Sequence, residues 1–203
     1  MTIIHSIEKL RHSKVRVVFD SENNIDILAE TVLKYNINNG LSISTSKWTA
    51  ICKESRNRLA IREALNFLSK KRRTSSELEQ WLSKSFSNIE IFHATTRMQE
   101  LNYLDDESWV IDYLGSHKAR GKSKRYLANQ FHKKNIPPDI QKRALGIHND
   151  EVEALWIAQK KVRTLNNLPI DKQKTKLYVY LQQRGFNSAL VASIATQLIS
   201  DHQ

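Results

Sequence analysis

One pattern is written three times along this chain, and it limits the fold more than any other feature. Leu78 and Leu82, Leu127 and Phe131, and Leu177 and Leu181 each lie four residues apart. Residues at that spacing share one face of a helix. Each pair is followed by a polar or small residue and then an apolar one: Ser85-Phe86, Asn135-Ile136 and Gly185-Phe186. That order closes a helix and packs the chain back on it. The first copy is one residue shorter before its stop. A unit recurring at roughly 50 residues is a repeat architecture, in which each copy buries its apolar faces against itself and its neighbour. Any helical chain shows some self-similarity, but three matched stops in the same order go beyond that.

Each copy reads as three helices. In the first, Ser44 or Ser46 starts a long helix whose apolar face holds Leu59, Ala60, Ala64, Leu65 and Leu68. Thr74 and Glu77 have capping-box spacing and start the second helix. The third carries Ile91, Thr95, Met98 and Leu101 on one side. In the second copy Asp105 or Asp106 caps a helix that runs to Tyr113 or Leu114 and ends at Gly115. Gly121 and Ser123 mark the next start. Arg125, Asn129, His132 and Lys133 form a polar stripe opposite Leu127 and Phe131, and Pro137-Pro138 blocks continuation. The third copy begins near Asp150, with Val152, Leu155, Trp156 and Ala158 in its first helix. A turn covers residues 166–171, and Leu190, Ile194 and Leu198 mark its last helix.

The first 44 residues differ. Val15, Val17 and Phe19 alternate, a turn is expected at residues 20–24, and Ile25-Asp26-Ile27 alternates again, which reads as a β-hairpin. Ile3, Ile4 and Ile7 add a first strand, and Leu28 to Tyr35 a short helix. The expected architecture is mainly α: three tandem three-helix repeats forming an elongated curved solenoid, behind a small β-hairpin/helix module. The expected boundaries are 1–44, 45–101, 102–149 and 150–203.

Few chemistries fit. There is no Gly-x-x-x-x-Gly-Lys-Ser/Thr phosphate loop and no His-Glu-x-x-His, so no cofactor, metal or catalytic residue is expected. Cys52 is the sole cysteine and reads as a small side chain packed near a helix start. His5, His12, His93, His117, His132, His148 and His202 are scattered. Asp105 and Asp106 read as helix caps rather than an acid–base pair. Trp48, Trp81, Trp109, Trp156 and Tyr103 are assigned to the core. The apolar run at 189–199 is too short to span a bilayer, and residues 1–9 lack a signal-peptide pattern. A cytoplasmic, non-enzymatic monomer without membrane contact is expected.

The charge points to an anionic partner. Thirty-two Lys and Arg face 21 Asp and Glu, a net charge of +11. The excess lies in the repeats and gathers where the first helix of each copy meets the second. Lys70, Lys71, Arg72 and Arg73 stand there in the first copy. Lys118, Arg120, Lys122, Lys124 and Arg125 follow in the second, and Lys160, Lys161, Arg163, Lys172, Lys174 and Lys176 in the third. Between Asp112 and Asp139 no acid occurs, while Lys133 and Lys134 add two more cations. Recurrence at one junction implies a discontinuous basic ridge. Its candidate binding residues are Lys71, Arg72, Arg73, Lys118, Arg120, Lys122, Lys124, Arg125, Lys133, Lys161, Arg163 and Lys174.

The words Asn102-Tyr103-Leu104-Asp105-Asp106, a hydrophobic helix, a basic Gly-containing turn and a helix ending Lys134-Asn135-Ile136 resemble the regulatory protein RecX family. That family usually writes Gly-Tyr-Leu-Asp-Asp and Lys-Gly-Ile. Here asparagine replaces both glycines, a mild change because asparagine also tolerates positive φ. The resemblance covers about residues 1 to 200 and is best over 60–186. It implies tandem three-helix repeats and a role in recombination, DNA repair and the SOS response. It also implies a RecA filament on single-stranded DNA as partner, with double-stranded DNA a second polyanion of the same kind. Binding in the filament groove would restrain strand exchange and ATP hydrolysis. Two other readings stand beside it: a sequence-nonspecific nucleic-acid-binding protein, and a helical-repeat adaptor with a protein partner alone.

Overall fold

The computed structural model describes residues 2–19 and 24–200; residues 20–23 of the turn expected at 20–24, and His202 at the end, fall outside the described residues. The chain divides into two compact units, residues 1–104 and 105–203.

Unit 1 begins with a four-stranded antiparallel sheet in the order β3-β2-β1-β4. The strands are β1 Thr2–Lys9, β2 Lys14–Phe19, β3 Ile25–Leu28 and β4 Ser42–Ile43. Val15, Val17 and Phe19 point inward as alternation demands, and Arg16 pairs across the ladder with Asp26 at 2.9 Å. The β1–β2 turn places His12 and Ser13 at φ 57° and 56°, the mirror-image turn geometry that suits a right-twisted hairpin. β4 has no sequence signature, since two residues are too few for alternation.

Helix α1, Ala29–Lys34, ends at Asn36, whose φ is 47°. Helix α2, Thr45–Leu68, serves two cores in turn. Its first turns send Trp48 and Ile51 into the sheet core, with half-buried Cys52 beside them, and Ser55 Oγ accepts the Leu28 N–H at 2.9 Å. Its later turns send Ala60 and Ala64 against α3, Ser75–Leu82, and α4, Asn88–Glu100. Leu78 and Leu82 are fully buried there, a contribution of roughly 1.5–3 kcal/mol each. Leu65 and Leu101, expected on the apolar faces, lie at their exposed margins.

Unit 2 holds two triplets. Helices α5 Asp106–Gly115, α6 Lys124–Lys133 and α7 Pro138–Gly146 enclose Val110, Leu127, Phe131 and Ile136. Helices α8 Asp150–Val162, α9 Ile170–Gln182 and α10 Ser188–Ser200 enclose Ala154, Ala158, Leu177, Leu181, Phe186 and Ile194. The nine expected helices are α2 to α10, and α1 belongs to the N-terminal module. Val152 lies in α8 as expected but is 60% exposed, and the buried stripe of α8 runs Ala154, Ala158, Val162. Alanines at i and i+4 let α8 approach its neighbours closely, which a reading weighted towards large side chains overlooks.

The stops follow backbone geometry. Asn135 has φ 50°, Gly185 φ 92° and Asn102 φ 56°. After Asn135 the Ile136 N–H reaches back to Phe131 O at 3.0 Å, and after Asn102 the Tyr103 N–H reaches Met98 O at 3.0 Å. In the first copy Phe86 N–H bonds Leu82 O at 3.0 Å, one residue closer, and residues 83–86 contain no positive φ. The missing residue of that copy is the left-handed one. Tyr103, assigned to the core from the sequence, is a correction: it is 62% exposed, because it follows the left-handed residue and Leu104 takes the buried place. Trp48 is buried, whereas Trp81, Trp109 and Trp156 are half-buried, the first two stacked on Phe67 and Tyr113.

Candidate nucleic-acid interface

In unit 1 the basic junction, residues 69–74, is closed by its own side chains. Thr74 and Glu77 cap α3 reciprocally. Arg73 lies 4.6 Å over the Phe67 ring and 3.7 Å from Glu77, with its side chain 22% exposed. That cation is engaged in the local fold. Lys71 and Arg72 are exposed.

In unit 2 the matching junction, residues 116–123, is held by the following repeat. Gly121 N–H donates to Glu153 at 2.7 Å and Lys124 N–H to Asp150 at 2.6 Å. His148 Nε2 donates to the Lys122 carbonyl at 2.9 Å, and Ser123 N–H donates to Arg184 O at 3.1 Å. Two glycines permit this docking. Gly121, at φ 66°, lies so close to Ile157 that a Cβ would stand 2.9 Å from its Cγ1. A Cβ on Gly185 would collide with Ser123 Oγ, which itself caps α6 by accepting the Tyr126 N–H. The stretch is acid-free in sequence, yet folding brings two carboxylates to its backbone. Asp150 thereby supplies the acid that the first turn of α6 lacks.

Those carboxylates bind amides and leave the cationic side chains alone. Lys118, Arg120, Lys124 and Arg125 are exposed, as is Lys133 on the last turn of α6. Lys122 is half-buried, its ammonium 4.4 Å over the Tyr126 ring. Among the described residues none of these six forms an ion pair. Arg120 also borders an open groove of about 330 Å³ with Val152, Glu153 and Trp156, and Lys160 lies 3.9 Å over that indole.

Repeat 3 spreads its cations over α8 and α9 and keeps one, the exposed Arg163, in the junction itself. Lys174 is half-buried on α9. Lys161 and Arg184 both sit over Tyr180, at 5.3 and 3.6 Å from the ring centre. Burial, and secondarily the Arg184 guanidinium, push the Lys122 ammonium below its ordinary pKa. Of the sequence candidates, Lys122 and Lys161 are thus brought to one seam, through Arg184 and the two tyrosines. Arg184, Tyr126 and Tyr180 were not among the candidates. One signal could have found Arg184: Lys84, Lys134 and Arg184 each precede a helix stop.

Such an array can hold an extended polyanion through charge and guanidinium hydrogen bonds, without reading sequence. Among the described residues no group of three or more His, Cys, Asp or Glu could hold a metal ion, and no helix is long and apolar enough to cross a membrane.

Comparison with known proteins bears on this array. Residues 154–194 match the family model for the third three-helix domain of RecX. Regulatory protein RecX of Bacillus subtilis is 23% identical over 201 residues, covering 95% of this chain and 75% of the relative. Regulatory protein RecX of Prosthecochloris aestuarii is 27% identical over 150 residues, covering 73% of this chain and 99% of the relative. A crystal structure of regulatory protein RecX superposes with a TM-score of 0.66 at 18% identity, covering 99% of this chain and 100% of that one. The RecX structure from Lactobacillus salivarius gives 0.58 at 19% identity, covering 70% of this chain and 96% of that one. These two likenesses concern the fold.

Proposed function

We propose that this chain, whose similarity to RecX proteins spans most of its length, is a non-catalytic regulator of the RecA filament on single-stranded DNA. It binds the filament through the cations of its repeats and restrains strand exchange and the accompanying ATP hydrolysis. The observation that carries the reading is the set Lys118, Arg120, Lys122, Lys124 and Arg125, fixed on a docked backbone and unpaired among the described residues. Lys133, Lys161, Arg163 and Lys174 extend it in unit 2, and Lys71 and Arg72 are its counterpart in unit 1, where Arg73 is engaged with Phe67 and Glu77. Cations held without carboxylate partners suit phosphates, whose neutralisation releases counterions. A monomer acting in the cytoplasm fits this role.

The test is RecA-promoted ATP hydrolysis on single-stranded DNA with and without the protein. Slower hydrolysis at protein concentrations comparable to RecA is the expected outcome. An unchanged rate, with the protein shown to be folded, rejects the reading.

A further inference from the structure

We propose that the seam between repeats 2 and 3, where Lys122, Arg184 and Lys161 are interleaved with Tyr126 and Tyr180, is a seat for the phosphodiester backbone of nucleic acid. It is a DNA contact of the protein rather than a RecA contact. The inference rests on the family reading above and deepens it by dividing the cations by partner.

The geometry converges from several sides. Two cations share the ring of Tyr180, at 3.6 and 5.3 Å, and a third lies 4.4 Å over Tyr126. The rings hold the long side chains in place at low entropic cost, through attraction between each cation and the electron-rich ring face. The backbone beneath is fixed, because Ser123 N–H bonds Arg184 O and Ser123 Oγ fills the space that a Cβ on Gly185 would need. Among the described residues none of the three cations has a carboxylate partner. Like charges gathered this way repel, and burial adds to the strain on Lys122. An anion relieves both. A phosphate offers oxygens to a guanidinium and an ammonium together, and a strand of phosphates can bridge the two repeats. The first turn of α6, with Lys124 and Arg125 where α3, α5 and α8 carry acids, adds positive charge beside Lys122.

The experiment measures binding of the full chain to fluorescent oligothymidylate and to a duplex, without RecA, over a salt series. The double variant Arg184→Gln, Lys161→Gln should flatten the log–log salt slope by about 1.4 on the single strand and about 1.8 on the duplex. Arg184→Lys, which keeps the charge, should retain most of the slope. Thermal melting confirms that each variant folds. Unchanged slopes on both nucleic acids overturn the seat. So does a variant that binds DNA normally but no longer slows RecA, since the seam is then a protein contact. A wild-type chain that binds neither nucleic acid also overturns it, whereas slowing of RecA by that same chain would leave the family reading intact. A wild-type chain that binds DNA yet leaves RecA hydrolysis unchanged would sink the family reading instead.

Discussion

In unit 1 the turn from the first helix to the second is completed by neighbours in sequence: Thr74 and Glu77 cap one another, and Arg73 lies between Phe67 and Glu77. In unit 2 the same turn is completed by the next repeat, through Glu153, Asp150, His148 and the carbonyl of Arg184. A closed turn engages part of its charge in its own stability. A docked turn is stabilised through its backbone, so its side-chain cations stay available. Two copies of one motif thus differ in what they can offer a polyanion, although both are rich in Lys and Arg.

The largest effect should come from breaking the docked turn at its tightest point. Gly185→Val places a β-branched residue at φ 92° and drives its Cβ into Ser123. Left-handed strain and overpacking together should destabilise unit 2 by about 2–4 kcal/mol. The matching position in unit 1, Ser85, is exposed and not left-handed, so Ser85→Ala should stay within about 0.5 kcal/mol. Urea unfolding of both variants checks the contrast, and equal losses would mean that the two stops are built alike. Next in size is Glu153→Ala, which removes the acceptor of the buried Gly121 N–H and should cost about 1.5–3 kcal/mol. Glu153→Gln can still accept that bond and should recover part of the loss in the same titration.

The sequence made the repeat readable because its signals are local. Leu78, Leu127 and Leu177 are all fully buried, and Asn135 and Gly185 occupy the left-handed region their stops require. Even the short first stop has a local cause, the absent left-handed residue before Phe86. The candidate interface was readable only as a list of cations. Nothing near residue 121 announces that Glu153 will arrive at its amide, or that Arg184 will settle beside Lys122, because those contacts are set by how repeats 2 and 3 pack. Tyr103 shows the same limit: its ring pointed to the core, while the placement of Leu104 turned it out.

A smaller effect on stability, with a clear effect on binding, should follow from removing cations at each turn. Arg120, Lys122 and Arg125 changed together to Ala should flatten the single-strand salt slope by about two units, with about 0.7 per lost phosphate contact. The melting temperature should barely move, since none belongs to the buried set Leu127, Phe131 and Ile136. In unit 1, Lys71→Ala with Arg72→Ala should flatten the slope by about 1.4. Arg73→Ala should leave the slope alone and lower stability instead, because that guanidinium is engaged with Phe67 and Glu77. An equal slope change from Arg73 would erase the distinction between closed and docked turns.

The smallest effect lies in the acid dependence of unit 1, where charge is used for internal bonding. Glu90 receives the Arg56 guanidinium at 2.8 and 3.1 Å and the Ser87 N–H at 2.8 Å. The Arg56 hydrogen bonds lead in holding its carboxyl down to about 2, against the ordinary 4.5. The unfolded chain therefore takes up this proton first as pH falls. The contribution to stability is complete above pH 4.5 and is lost as pH drops from there towards 2. Because the Arg56 side chain is 45% exposed, solvent screening keeps it to about 1 kcal/mol or less. Glu90→Gln should lower stability at neutral pH and flatten its decline between pH 4.5 and 2, with urea midpoints as the measure. A variant that loses stability with acid as steeply as the wild type would show that the pair adds nothing to folding, and that the cap on α4 rests on the Ser87 bond alone.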